Sequence, residues 1–135
     1  PYPLRVAGAG PMAEALPGVQ HMGWLSRPAF RQALSRARAL LFPARWQEPF
    51  GIVGLEALSV GTPVIVMDGG GTGDWSGPGC IRVAAGDVAA MSQAIVRLSR
   101  DAEPELRLGK EGWRHAQQWW PPDPSVERVL RIYRR

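Results

Sequence analysis

Two short apolar runs, separated by one segment of helical length, constrain the fold of this chain more than any other feature. Ala39–Phe42 is apolar and is followed by Pro43, and Pro63–Met67 is again almost wholly apolar. Such runs are typical of strands that are buried on both faces of a sheet. The segment between them predicts a helix of about ten residues that starts at Gly51 and ends at Gly61. A strand, a helix and a strand in this order predict a covered parallel sheet with a right-handed crossover.

The start of that helix is suited to bind an anion. Pro49 disfavours helical geometry at Glu48, so the helix begins beyond the carboxyl end of the first strand. The amides of Phe50, Gly51 and Ile52 then lie at the helix N-terminus, where unpaired donors and the helix dipole favour negative charge. We therefore expect a phosphate group to lie against these amides.

Two carboxylates flank this amide cluster. Glu48 precedes the helix, whereas Glu56 lies about 7.5 Å further along its axis, at a rise of about 1.5 Å per residue. A carboxylate accepts hydrogen bonds and repels phosphate, so both residues should contact hydroxyl groups, as on a sugar. The alternative is that two glutamates stand at this spacing by chance.

The residues around these glutamates resemble a known motif. The stretch from Glu48 to Leu58, together with the Gly-Thr-Pro that begins at Gly61, is similar to the two-glutamate motif of retaining GT-B glycosyltransferases of the glycogen synthase and phosphatidylinositol mannosyltransferase type, also called glycosyl transferases group 1. The resemblance covers roughly residues 4–101. It implies a Rossmann-like α/β domain with a parallel sheet and helices on both faces, the C-terminal half of a GT-B fold.

The same resemblance implies a role for each residue of the motif. Glu48 would approach the donor sugar as the catalytic residue, and Glu56 would hold the ribose hydroxyls of a nucleoside diphosphate. The amides of Phe50, Gly51 and Ile52 would bind the diphosphate, with Pro49 in the same binding segment. The donor would then be a nucleotide sugar.

A turn near the start of the chain has two interpretations. The stretch from Gly8 to Ala13 superficially matches the glycine fingerprint of dinucleotide-binding proteins, but Pro17-Gly18 ends any helix early and residues 24–35 contain no acid. A nicotinamide cofactor is therefore rejected. The resemblance implies a turn that faces the nucleotide through Gly10, and a tight turn without a ligand is the alternative.

A glycine-rich stretch follows the second apolar run. Residues 68–79 predict a loop whose backbone can lie close to a ligand, or one that is merely flexible. Gly70 to Asp74 is similar to a later glycine-rich loop of the family. The family usually has glutamate where Asp74 stands, which weakens any role for Asp74.

The remaining sequence predicts an alternating α/β domain over residues 1–135, with C-terminal helices from about residue 103. Further strands are expected at 4–7, 19–25 and 80–83, and helices at 27–37, 88–100, 105–120 and 126–133. Three polar residues are expected to cap helices: Ser26, Asp87 and Ser125.

The helix at 105–120 should carry apolar anchors. Leu106, Leu108 and Trp113 are the expected ones. Trp119 and Trp120, which stand beside Pro121, could cover an exposed seam, and a domain contact is one interpretation of this pair.

Composition excludes several kinds of site. Cys80 is the only cysteine, so neither an internal disulfide nor a cysteine-based zinc cluster is expected. His21 and His115 have no acidic or hydroxyl neighbour at a catalytic or metal-binding spacing, so both are expected to be structural. We expect no metal and no cofactor beyond the donor substrate.

The charge favours anionic partners. The net charge is +4 and the pI is about 10.2. No nucleic acid is expected as a partner, because basic runs with interleaved aromatics and zinc-finger spacings are absent from the sequence. A basic surface that is simply solvated is one explanation, and an anionic donor or peripheral contact with an acidic membrane would also fit it. No apolar run reaches the ~20 residues of a membrane span and no signal peptide is evident, so a cytoplasmic location is expected.

The resemblance also implies what this sequence does not supply. A GT-B enzyme has two domains, and an acceptor-binding domain or partner chain would be needed alongside this one. The family's arginine and lysine pair that clamps the diphosphate has no counterpart here. The first hypothesis is the donor-binding domain of a retaining glycosyltransferase that transfers a hexosyl group to an unidentified acceptor and is inactive in isolation. The second is a non-catalytic module that binds a nucleotide or a sugar phosphate.

Overall fold

Strands and helices alternate along the chain. The computed structural model describes residues 3–11, 17–119 and 130–133. In order, the elements are β1 (Arg5–Ala7), β2 (Gln20–Gly23), α1 (Arg27–Ser35), β3 (Leu40–Phe42), α2 (Ile52–Ser59), β4 (Val64–Asp68), α3 (Thr72–Trp75), β5 (Cys80–Ala84), α4 (Val88–Arg100) and α5 (Ala102–Gln117). Residues 130–133 are also helical.

All strand pairs in the described residues are parallel, as predicted. β1 pairs with β2, and a second sheet has the order β3-β4-β5. In the middle strand, Val64 lies between Leu40 on one side and Cys80 on the other. This order places the loops that follow β3 and β4 side by side at the carboxyl edge of the sheet.

The central strand β4 is buried on both faces. Val64 and Val66 belong to one hydrophobic cluster, which includes Leu34 of α1 and Leu55 of α2. Ile65 and Met67 belong to the other cluster, whose further members are Val83, Met91, Ala94, Leu98 and Leu108. Successive side chains of a strand point to opposite faces of the sheet, so neighbouring residues of β4 pack in different hydrophobic cores. Helices on both faces of a parallel sheet confirm the predicted Rossmann-like α/β fold.

Helix α5 packs through small residues rather than through the anchors that the sequence suggested. Leu108 is buried, but Leu106 is 72% exposed and Trp113 is 47% exposed, so two of the three predicted anchors are wrong. The buried face of α5 consists of Leu108, Gly109, Gly112 and Ala116. Small side chains there allow the backbone of α5 to come close to the C-terminal end of α2.

Two of the three predicted caps are confirmed. Ser26 Oγ accepts a hydrogen bond from the Ala29 amide at 3.5 Å, and Asp87 Oδ1 accepts one from the Ala90 amide at 2.8 Å. The predicted cap at Ser125 lies outside the described residues, as do Trp120 and Pro121 and much of the helix predicted at 126–133.

Helix α5 begins earlier than predicted. Asp101 caps it, because its Oδ1 atom accepts from the Glu103 amide at 3.0 Å. Pro104 lies in the first turn, where its missing amide donor costs little. The prediction placed the start after this proline and was therefore late.

Candidate functional site

The loop after β3 leads into α2 through a left-handed glycine. Gly51 is the N-cap of α2 and has a φ of +80°. A Cβ atom at this position would lie 2.8 Å from Phe42 Cζ. Conformation and space therefore both require glycine here. The amides of Phe50, Gly51 and Ile52 donate no hydrogen bond to any described residue, so this helix end retains free donors.

The glycine-rich loop after β4 lies against the backbone of Glu48. The Gly71 amide donates to the Glu48 carbonyl oxygen at 2.7 Å. Gly70 has a φ of +58°, and a Cβ atom there would lie 2.4 Å from the same carbonyl oxygen. These glycines therefore allow their own loop to lie close to the backbone of the loop that contains Glu48, and they hold that loop in place.

The Glu48 carboxylate is held by an indole. Trp46 Nε1 donates to Glu48 Oε2 at 2.7 Å. The tryptophan is 70% exposed, whereas Glu48 is half-buried. An indole is a neutral donor, so it orients the carboxylate without neutralising its charge. Nothing in the sequence alone distinguished Trp46 from the chain's other exposed tryptophans.

The Glu56 carboxylate has a different partner. Arg27 Nη2 lies 3.1 Å from Glu56 Oε1, and the two side chains are 86% and 21% exposed, respectively. Arg27 begins α1, which packs beside α2 through Leu34 and Leu55. The two charged residues are 29 positions apart, so sequence reasoning missed this pair. It places a cation beside the carboxylate of Glu56.

A buried tryptophan supports the floor of the site. Trp75 is fully buried in α3, a short helix within the stretch that the sequence predicted as a loop. Its Nε1 atom donates to the Phe50 carbonyl oxygen, and its own carbonyl lies 2.8 Å from His115 Nε2. Gly54 of α2 makes room for it, because a Cβ atom there would lie 2.0 Å from Trp75 Cη2. Trp75 and His115 therefore have a structural role beneath Phe50.

The C-terminal end of α5 reaches the same loop. The rings of Trp119 and Phe50 lie 5.8 Å apart between centroids, at an interplanar angle of 60°. The aromatic residue that the sequence predicted as a domain contact thus packs, within this chain, on one of the predicted diphosphate-binding residues.

Other predicted positions are not joined to this cluster. Gly10 lies in the loop after β1, and no hydrogen bond among the described residues links it to the loop that contains Glu48. Asp74 is exposed on α3. Within the described ranges, no cluster of three or more His, Cys, Asp or Glu side chains is suited to hold a metal ion. None of the helices described here is long and apolar enough to cross a membrane.

Most of the chain matches one protein family. Residues 2–101 match the family described as glycosyl transferases group 1. A D-inositol 3-phosphate glycosyltransferase of Salinispora tropica is 34% identical over 107 residues, which are 75% of this chain and 21% of that protein. A glycogen synthase of Mycobacterium tuberculosis is 34% identical over 104 residues, or 68% of this chain and 25% of that protein. This chain therefore spans about a quarter or less of the length of these relatives.

Solved structures share the fold. Sucrose-phosphate synthase from Thermosynechococcus elongatus superposes with a TM-score of 0.85 and 26% identity, over 97% of this chain and 37% of that one. Anabaena HepE in complex with UDP-glucose has a TM-score of 0.75 and 17% identity, over 86% of this chain and 36% of that one. With a match that extends from residue 2 to residue 101, this chain belongs to the glycosyl transferases group 1 family.

Proposed function

We propose that this chain is the donor-binding part of a retaining GT-B glycosyltransferase, which transfers a hexosyl group from a nucleoside diphosphate sugar to an acceptor. One observation carries the proposal. Glu48 precedes the N-terminus of α2, whose amides at Phe50, Gly51 and Ile52 have no partner in the described chain, and Glu56 lies on the same helix. The backbone amides can donate hydrogen bonds to a diphosphate, and the two carboxylates can accept hydrogen bonds from sugar and ribose hydroxyls.

The diphosphate would lie against the α2 amides. Gly51 leaves no side chain between a phosphate and the backbone, and the helix dipole adds favourable charge. Trp75 and the Gly70–Gly71 backbone hold the loop from below and from the side, so the amides need little rearrangement. A site that is already ordered loses less entropy when the ligand binds.

The nucleoside would lie beside Glu56. Its carboxylate is mostly buried, and a pair of ribose hydroxyls would supply the donors that a carboxylate needs. Arg27 satisfies one oxygen of Glu56 in the free protein. Because Arg27 is largely exposed, it can move towards the diphosphate when the ribose arrives.

The sugar would lie beside Glu48. When the bond between the sugar and the diphosphate breaks, positive charge develops on the sugar ring, and a nearby carboxylate stabilises that charge. Glu48 lies in the loop before α2 rather than on the helix, which separates its carboxylate from the amides that bind the leaving diphosphate. This is the proposed catalytic role of Glu48.

The comparisons support a donor-binding role. The relative from Salinispora tropica is named a D-inositol 3-phosphate glycosyltransferase, and the relative from Mycobacterium tuberculosis is named a glycogen synthase. Anabaena HepE, which shares this fold over 36% of its chain, was solved in complex with UDP-glucose, and this supports a sugar nucleotide as the ligand class. Because the chain spans only part of its relatives, the proposal includes an acceptor-binding domain or partner chain.

Ligand binding tests this proposal. Calorimetry of the folded chain with uridine, guanosine and adenosine diphosphates should detect weak binding of at least one. The chain alone should transfer no sugar, because transfer requires an acceptor held within reacting distance of the donor. No heat with any of the three at millimolar concentration would contradict the site. Binding without transfer, even after an acceptor-binding domain is supplied, would favour the non-catalytic module instead.

A further inference from the structure

The geometry points to Trp46 as a positioning residue of the donor site. Its indole N–H holds one oxygen of the Glu48 carboxylate, so that the other oxygen faces the donor sugar. This inference rests on the proposed function, because it assigns to Trp46 the orientation of the carboxylate that approaches the sugar. Trp46 is not itself a catalytic residue.

The hydrogen bond leaves half of the carboxylate available. Trp46 Nε1 donates to Oε2 of Glu48 at 2.7 Å. Within the part of the chain that the structure describes, Oε1 has no hydrogen bond or ion pair. One oxygen is therefore fixed by the protein and the second remains free for a ligand.

The backbone of Glu48 is held as well. The Gly71 amide donates to its carbonyl oxygen at 2.7 Å, and Gly70 approaches the same peptide closely. With the main chain fixed by the next loop, the remaining freedom of Glu48 is in its side-chain torsions. A single hydrogen bond near the end of the side chain is then enough to select one orientation.

Core packing does not explain a tryptophan at this position. Trp46 is 70% exposed, whereas Trp75, which supports the fold nearby, is 0% exposed. A ring so exposed gains little from burial. What Trp46 supplies instead is a neutral donor. A guanidinium in its place would orient Glu48 equally well but would offset the negative charge that the proposed chemistry needs.

The test separates the indole N–H from the ring. Trp46→Phe keeps an aromatic ring and removes the donor. We expect this variant to bind the bare nucleoside diphosphate as the unaltered chain does, and to bind the sugar nucleotide about threefold to tenfold more weakly. Trp113→Phe is the matched control, because Trp113 is also exposed but lies beside Gly61, at the far end of α2 from the site. It should change neither affinity.

A double-mutant cycle tests whether Trp46 acts through Glu48. If it does, Trp46→Phe should have no further effect on sugar-nucleotide affinity once Glu48→Ala is present. The indole N–H resonance of Trp46 should also shift in Glu48→Ala and stay in place in Trp113→Phe, which tests the hydrogen bond without any ligand.

The outcomes distinguish this inference from the proposed function. If Glu48→Ala weakens sugar-nucleotide binding but Trp46→Phe does not, or if the two changes are additive, the inference is overturned and the proposed function stands. The same holds if Trp46→Phe weakens the diphosphate and the sugar nucleotide equally, since the indole would then support the loop as a whole. If the unaltered chain binds neither ligand, both are overturned.

Discussion

The two glutamates of the motif differ in the partner of their carboxylates. Glu48 accepts from a neutral indole, and Glu56 pairs with an exposed guanidinium. The partner of Glu48 can remain when a ligand arrives. Arg27, the partner of Glu56, either gives up its contact with the carboxylate or keeps it beside the ribose hydroxyls when they bind. Binding of a nucleoside should therefore rearrange the Glu56 side more than the Glu48 side.

Replacing Glu56 tests the proposed ribose contact. Glu56→Gln keeps the size of the side chain and replaces charge-assisted hydrogen bonds by weaker neutral ones. We expect nucleoside diphosphate affinity to fall by roughly 1–3 kcal/mol in calorimetry. Stability should change by less than about 1 kcal/mol, because Arg27 is largely exposed and an ion pair with a solvent-exposed partner contributes little.

The matched control for Glu56→Gln is Arg27→Gln, which breaks the same ion pair from the other side. Loss of the pair alone should leave thermal stability nearly unchanged in both variants. Equal diphosphate affinity in Glu56→Gln and the unaltered chain would remove Glu56 from the site.

Replacing Glu48 separates binding from chemistry. Glu48→Ala should leave nucleoside diphosphate affinity unchanged or slightly tighter, because a carboxylate repels phosphate. It should weaken the sugar nucleotide and, with an acceptor-binding domain supplied, lower turnover by about two orders of magnitude, or ~2.7 kcal/mol. Full transfer activity in this variant would mean that Glu48 is not the catalytic residue.

Among the helices and strands, the position of α2 depends on the elements packed against it more than on its own sequence. Gly51 sets where it begins, and Gly54 lets Trp75 of α3 pack directly beneath its first turn. The Trp75 indole then reaches the Phe50 carbonyl. The position of α2 relative to the loop therefore depends on a helix that follows the next strand.

Adding one methyl group to α2 tests this dependence. Gly54→Ala would place its Cβ atom 2.0 Å from Trp75 Cη2, so either the fully buried indole or the helix would have to shift. We expect a loss of about 1–3 kcal/mol in the free energy of unfolding, measured in urea, despite the better helix propensity of alanine. Weaker diphosphate binding should accompany it.

Gly73→Ala is the control, since nothing lies within 4 Å of a Cβ atom there. It should be neutral or slightly stabilising. If Gly54→Ala were as stable as Gly73→Ala, the packing of Trp75 under α2 would be looser than the structure describes.

The predictable elements were those with a strong local pattern. The apolar run of β4 and the caps at Ser26 and Asp87 located a strand and two helices from sequence alone. Helix α3 was missed because glycines around it suggest a loop, and its stability comes from burial of Trp75. The anchors of α5 were wrong because the close approach of two backbones selects small residues, which carry no apolar signal.

The site was only partly predictable for a related reason. The loop and both glutamates lie within one continuous motif, and the structure places Glu48 in the loop before α2 and Glu56 on α2 itself. Their side-chain partners depend on folding. Arg27 reaches Glu56 across 29 positions, and the link from Gly71 to Glu48 joins two loops. Neither contact has a local sequence pattern. The ligand contacts of Glu48, Glu56 and Gly10 stay predictions.

The parallel sheet of this molecule buries the thiol of Cys80, which therefore ionises less readily than an exposed thiol. Cys80 begins β5 and lies beside Val64 of the central strand. Burial raises the pKa of its thiol to about 12, and a hydrogen bond from Gly77 and the charge of Arg82 only partly offset this. The folded chain therefore holds this proton at a pH where the unfolded chain has released it.

Alkaline pH should consequently destabilise the fold. The stability that Cys80 contributes is fully present below its ordinary pKa of 9.0 and is lost as the pH rises towards about 12. Urea unfolding at about pH 8 and about pH 10.5 should show a decrease that is smaller in Cys80→Ala. An identical decrease in both proteins would mean that other groups account for it. The same burial should make the thiol slow to react with alkylating reagents near neutral pH.

The contact between Gly70–Gly71 and Glu48 limits how this region can evolve. The loops after β3 and β4 share a backbone interface with no room for a Cβ atom at Gly70, so a side chain at that position would require the loop that contains Glu48 to move. A chimera whose second loop carried a residue larger than glycine at position 70 would place that side chain against the peptide of Glu48.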